Sequence, residues 1–151
     1  MHSMNLPLNC AAGTLFMLLA GFTGVVSANE AMDGRGLREA CSAQSQAGMR
    51  DCLAQHAQTS ATKLSQAQAQ AHHQIDQWDE DIKYRAQAKA LLDAAHRSFI
   101  QYRNAHCAFS ASLGGGAIGN ALEMRRLACQ AQLNHQRAQD LVNNTAELPV
   151  K

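Results

Sequence analysis

The most constrained chemistry in this sequence lies in four cysteines, Cys41, Cys52, Cys107 and Cys129, separated by ten, fifty-four and twenty-one residues. Cysteine thiolates can hold zinc, or thiols can oxidise in pairs. The common structural zinc sites draw on close pairs such as C-x-x-C, and no such pair occurs here. An even set of cysteines at wide spacing instead predicts two disulfides and no metal. Three pairings are possible, and the spacing alone does not choose among them.

The other reactive side chains form no recognisable catalytic pattern. His72 and His73 are adjacent, so they point in different directions on a helix and cannot form an i, i+4 ligand pair. With His56, His96, His106 and His135 they read as surface histidines. Ser98, Ser110 and Ser112 lack the G-x-S-x-G setting of a nucleophile elbow. Gly114, Gly115 and Gly116 lack the following G-K-[ST] of a phosphate loop, so they read as a turn. Carboxylates come close together only at Asp79, Glu80 and Asp81. A glycosidase needs two of them about 5–9.5 Å apart across a cleft, which a narrow helical domain does not offer. The expectation is a protein with no enzymatic activity and no cofactor.

The elements that position these residues begin after an apolar leader. Residues 1–28 contain no Asp, Glu, Lys or Arg, and Ala11 to Val26 is mostly apolar. The leader ends in Val26-Ser27-Ala28, a small-residue cleavage pattern that predicts a signal peptide cut after Ala28. Its amino-terminal part lacks the usual Lys or Arg. A fifth cysteine, Cys10, precedes the apolar run, where a lipid-attachment cysteine would follow it. Beyond the leader, a polar lead-in is expected over 29–44, a helical domain over 45–143 and a flexible tail over 144–151. The chain carries 13 Lys and Arg against 12 Asp and Glu, a net charge of +1. That balance gives no drive toward nucleic acid or an anionic membrane.

Apolar and small residues recur at steps of three and four in three stretches. The first contains Leu53, Ala57, Ala61, Leu64, Ala67, Ala71, Ile75 and Trp78. The second contains Tyr84, Ala88, Leu91, Leu92, Ala95, Phe99, Tyr102 and Phe109. The third contains Ile118, Leu122, Cys129, Leu133 and Leu141. Acidic residues around Trp78 separate the first two, and the glycine run separates the second from the third. Asn120 is an expected N-cap, with Glu123 at the capping-box position. Short connections then predict an all-α, up-down-up three-helix bundle with disulfides. In that topology Cys41 and Cys52 bracket the start of the first helix, and Cys107 and Cys129 bracket the glycine turn. These local pairings are preferred, and a crossed pairing through Cys52 stays open. Phe99 and Tyr102 are expected in the core. Arg103 and Arg137 are expected to be structural, partly buried and paired.

The stretch Cys41–Leu141 resembles the N-terminal-like lysozyme inhibitor LprI family of bacterial exported proteins. The matching elements are Met49-x-x-Cys52-Leu53, Phe99-x-x-Tyr102-Arg103-x-x-x-Cys107, Gly115-Gly116, and Cys129-x-x-x-Leu133-x-x-x-Arg137-x-x-x-Leu141. One departure is Asn134, where the family often has a small hydroxyl residue. The resemblance implies export to the periplasm or medium, helices and disulfides. Its expected partner is lysozyme, with another envelope protein as the alternative. Two segments could meet such a partner. One is the flexible loop Leu113–Asn120, with Gly114, Gly115 and Gly116, which could enter a sugar-binding groove. The other is the acidic turn Asp76–Asp81, with Asp79, Glu80 and Asp81, which would be steered toward a basic enzyme.

Overall fold

The computed structural model describes residues 33–117 and 119–150, and the expected leader lies outside them. The described residues form four helices: α1 (Gly34–Ala40), α2 (Gln46–Gln77), α3 (Ile82–Ser112) and α4 (Ala121–Ala146). The first three begin where a side chain satisfies a free backbone N–H group. Asp33 Oδ1 accepts from Gly36 N at 2.6 Å. Ser45 Oγ accepts from Gly48 N at 3.2 Å. Asp81 Oδ1 accepts from Lys83 N at 2.7 Å.

The expected capping box at the start of α4 does not form. Asn120 makes no side-chain cap bond. Glu123 is taken instead by Arg126, whose Nη2 and Nε donate to its two carboxylate oxygens at 2.6 and 2.8 Å. A charge-assisted two-point bond outcompetes a single bond back to the cap.

The fold is all-helical, but it departs from a symmetric three-helix bundle. Part of the lead-in folds as α1, and α4 occupies the middle. Met124, Leu127, Ala128, Cys129, Ala131, Asn134, Ala138 and Leu141 of α4 are buried. Helix α4 packs most extensively on α2 and less on α3, while α2 and α3 meet chiefly through polar side chains such as His72 with Asp93 and Asp76 with Lys89. Buried alanines on the facing helices, Ala67 and Ala71 on α2 and Ala128, Ala131 and Ala138 on α4, allow this close approach. Helices α2 and α4 run parallel, because partners rise together: Leu53 clusters with Leu127 and Ala128, and Leu64 with Ala138 and Leu141. Helix α3 runs against both, pairing Cys107 with Cys129 and Arg103 with Asn134.

Helix α3 buries only Cys107 completely. Its sequence periodicity merges two faces. Leu92 and Phe99 pack on the core, whereas Tyr84, Leu91, Tyr102 and Phe109 are more than half exposed. Tyr102 is therefore not a core residue. The carboxyl-terminal segment also departs from a free tail. Asp79 N donates to Pro149 O at 2.7 Å, and Trp78 pairs with Val150 in an isolated antiparallel bridge.

The core divides into two apolar clusters. One, at the cysteine-rich end, contains Leu37, Cys41, Leu53, Met124, Leu127, Ala128 and Ala131. The other contains Leu64, Ala67, Ala138 and Leu141. Between them lies a polar layer shared by three helices. Arg103 Nη1 donates to Asn134 Oδ1 at 2.8 Å. Asn134 Nδ2 donates to Ser60 Oγ at 3.2 Å, and Ser60 Oγ donates to Ala57 O at 2.8 Å. Asn134 is only 2% exposed. Burial lowers the pKa of Arg103 from its ordinary value, since desolvation disfavours the charged form.

Candidate functional site

Both disulfides gather at one end of the helices. Cys41 joins Cys52, with Cα atoms 5.9 Å apart. Cys107 joins Cys129, with Cα atoms 5.5 Å apart. The first ties α1 to α2. The second ties the last turns of α3 to α4. A nitrogen of His56 lies within 4.8 Å of the Cys41 and Cys52 sulfurs. Those sulfurs are bonded to each other, so neither is a thiolate free to bind metal.

The glycine loop crosses the same end. Gly115 and Gly119 adopt positive φ values of 56° and 70°, which favour glycine for want of a Cβ. Gly114 is pressed close, because a Cβ there would lie 2.5 Å from Leu122 Cδ2 and 3.4 Å from Arg125 Cδ. Gly115 and Gly116 have no heavy atom within 4 Å of a Cβ position, so they face open space.

Beside this loop is a cleft of about 260 Å³ between α1, α3 and α4. Arg35, Arg38, Arg125 and His106 line it, together with Asp33 and the Cys129 side of the disulfide. Asp33 is engaged as the cap of α1. None of the three arginines forms an ion pair among the described residues; the arginines that do are Arg50, with Asp51, and Arg126, with Glu123. Three arginine side chains line this one cleft, and guanidinium groups bind carboxylates or phosphates in a planar, two-point manner. The sequence offered no signal for this cluster. Arg35 and Arg38 come from the lead-in, 90 and 87 residues before Arg125, and only the folding of α1 against α4 unites them. Gly34 N donates to Gln132 Oε1 at 2.9 Å, which fixes that docking.

The acidic turn lies at the opposite end of α3, about 45 Å away for a helix of that length. Its carboxylates are largely engaged within the fold. Lys89 Nζ donates to Asp76 Oδ1 at 2.6 Å, and that bond holds the Asp76 carboxyl below its ordinary pKa. Glu80 Oε1 accepts from Asp81 N at 2.9 Å, and Asp81 caps α3. The structure thus separates the two sequence candidates and does not join Asp79, Glu80 and Asp81 to Gly114, Gly115 and Gly116.

Arg103 occupies the polar layer described above. Arg137 differs from expectation: its Nε is buried without a hydrogen-bond partner. It lines a shallow groove with Phe99, Tyr102, Leu133 and Asp140. Of the other histidines, His72 Nε2 lies 2.8 Å from Asp93 Oδ1, and His135 shares an apolar cleft with His56 and Leu37.

The hydrogen bond from Arg126 depresses the pKa of Glu123 below its ordinary value of 4.5. Its contribution to stability is therefore present above that value and lost as pH falls through the lower folded-state pKa. The pair is about two-fifths exposed, so Glu123→Gln is expected to cost no more than about 0.5 kcal/mol at neutral pH. Urea melts at pH 7 and pH 3 should show that small cost disappearing in acid.

These features define a class of protein: a disulfide-clamped, all-helical domain with a basic cleft beside a glycine loop. The sequence pattern of the family described as lysozyme inhibitor LprI matches residues 38–141. The chain belongs to that family. Comparison with curated proteins and with solved structures finds no match. No helix among the described residues is long and apolar enough to cross a membrane.

Proposed function

We propose that this protein is an exported inhibitor that binds a lysozyme through its disulfide-clamped end. Family membership supports inhibition. The observation that carries the choice of surface is the cleft of Arg35, Arg38 and Arg125 beside the exposed glycine loop. Lysozymes cleave sugar polymers with two carboxyl groups in a groove. A loop with no side chains at Gly115 and Gly116 is narrow enough to enter such a groove. Arginines flanking it can pair with carboxylates at or near the catalytic centre. The inhibitor itself performs no bond-breaking step.

The leader 1–28, read as a signal peptide cut after Ala28, supports export to the periplasm or the medium. An oxidising compartment also suits two disulfides. The three long helices act as the up-down-up scaffold, with α1 as an added cover that brings two of the arginines. The acidic turn then serves the fold.

The test is cell-wall lysis by several lysozyme types with the oxidised, processed protein. Inhibition is expected for at least one type. Arg38→Glu with Arg125→Glu should weaken it ten-fold or more, since hydrogen bonds to charged groups are worth about 1.5–3 kcal/mol each. Asp79→Asn with Glu80→Gln should leave it unchanged. Absence of inhibition at micromolar excess against all types would remove the proposal and favour a different envelope partner. Loss of inhibition on neutralising Asp79 and Glu80 would move the site to the opposite end.

A further inference from the structure

The outward face of α3 carries an ordered apolar seam. Tyr84, Ala88, Leu91, Ala95, Ser98, Tyr102, Ala105 and Phe109 follow one another at alternating steps of four and three. That spacing places them on one stripe, as in the seam of a coiled coil. The large members are solvent-exposed: Tyr84 51%, Leu91 62%, Tyr102 55% and Phe109 60%, with Leu113 at 65% beyond them. Ala95, Ser98 and Ala105 are exposed as well. No residue of the seam is charged, nor is any of Gln87, Ala94, Gln101 and Ala108 on its solvent side. Such a stripe on an otherwise polar helix marks a surface that packs on something.

The size pattern identifies what. Along the helix it runs large, small, large, small, small, large, small, large, and so it reads the same from either end. A two-fold axis midway between His96 and Arg97 sets Tyr84 against Phe109, Leu91 against Tyr102, Ala88 against Ala105 and Ala95 against Ser98. Every layer then matches in size, and small layers between large ones give the rings room to lean. We propose that the protein pairs with a second copy of itself through this seam, as an antiparallel dimer of α3 helices.

Charge and area agree with this arrangement. Antiparallel pairing opposes the two helix dipoles. It also sets Lys83, Arg85 and Lys89 beside the partner's uncharged carboxyl-terminal turns, whereas parallel pairing would confront like charges. Taking about 200 Å² for a whole large side chain, the four large residues of the seam offer roughly 450 Å² per copy. Two copies can bury about 900 Å², and the small residues between them bring the total to about the 1,000 Å² a specific interface needs. The helix is reachable because α3 contacts the rest of the fold mainly through α4. The dimer sends the two glycine loops to opposite ends.

Analytical ultracentrifugation of the processed protein tests the pairing. A dimer is expected at tens of micromolar. Leu91→Glu with Tyr102→Glu, both at exposed positions, should halve the sedimenting mass while circular dichroism stays unchanged. Orientation is read from an equimolar mixture of Tyr84→Cys and Phe109→Cys proteins treated with a short bismaleimide. Antiparallel pairing gives the mixed cross-link, and neither variant cross-links to itself. A monomer at 100 micromolar, a dimer indifferent to the double glutamate variant, or cross-links only within each variant would each overturn the proposal.

Discussion

Asn134→Ala is expected to cost about 2–4 kcal/mol of folding stability. Asn134 is a polar side chain at 2% exposure, and it joins α3 to α2 through Arg103 and Ser60. Alanine leaves Arg103 Nη1 without its acceptor, while Nε and Nη2 keep theirs on Asn104 Oδ1, and it leaves Ser60 Oγ without a donor. A buried group stripped of its partner costs about 1–3 kcal/mol, and the space left by the amide adds a cavity term. Ser60 keeps its bond to Ala57 O, which limits the loss on that side. For a domain of this size the change corresponds to a fall in melting temperature of roughly 4–15 °C. Urea denaturation should show the midpoint falling with the slope unchanged. A loss under about 0.5 kcal/mol would show that water replaces the amide.

The companion variant removes the whole layer. Asn134→Leu with Ser60→Ala and Arg103→Leu leaves no stranded polar group, and a buried polar set replaced by apolar residues is often neutral or stabilising. Recovery of most of the loss would show that the layer sets helix register more than it adds stability. The layer separates two apolar clusters. Without it, a slide of α2 along α4 by one turn moves apolar side chains past other apolar side chains and strands no buried polar group.

Much of this architecture is legible in the residues themselves. Breaker-free stretches and capping residues mark the long helices, and cysteine spacing together with the turn positions favours the local disulfides. What escapes is what depends on neighbours. The α3 periodicity holds two stripes about a quarter-turn apart, one for α4 and one facing outward, and a list of apolar positions cannot separate them. Tyr102 therefore reads as core. Glu123 suits a capping box by position, but Arg126 three residues on is also within its reach. Asn134 stands out against the family's usual hydroxyl residue, and its role becomes visible only when Arg103 and Ser60 are brought to it. The acidic turn and the glycine loop look equally suited to binding in one dimension. In three, most of the carboxylates are engaged by the backbone and Lys89, and arginines from two distant segments gather beside the glycines.

Replacing Cys107 and Cys129 by alanine is expected to lower stability by about 3 kcal/mol, and full reduction of both disulfides by about 6. The chain-entropy estimate for loops closed by separations of 22 and 11 residues is near 3 kcal/mol each. Domains of this kind have a total stability of about 5–15 kcal/mol, so reduction brings the fold to the edge of unfolding. The two bridges should fail differently. Cys41→Ala with Cys52→Ala frees α1, whose seven residues are too few to hold a helix alone. Leu37 and Cys41 then leave the core beside Leu53 and Ala128, and Arg35 and Arg38 leave the cleft. Cys107→Ala with Cys129→Ala instead loosens α3, which has α4 as its main neighbour and buries no other residue completely. Hydrogen exchange should therefore rise first over residues 34–53 in the one variant and over α3 in the other. If the basic cleft is the lysozyme-binding surface, the Cys41 and Cys52 variant loses inhibition at temperatures where its long helices remain folded. Inhibition that persists while α1 exchanges freely would show that the cleft arginines contributed by α1 are not needed for binding.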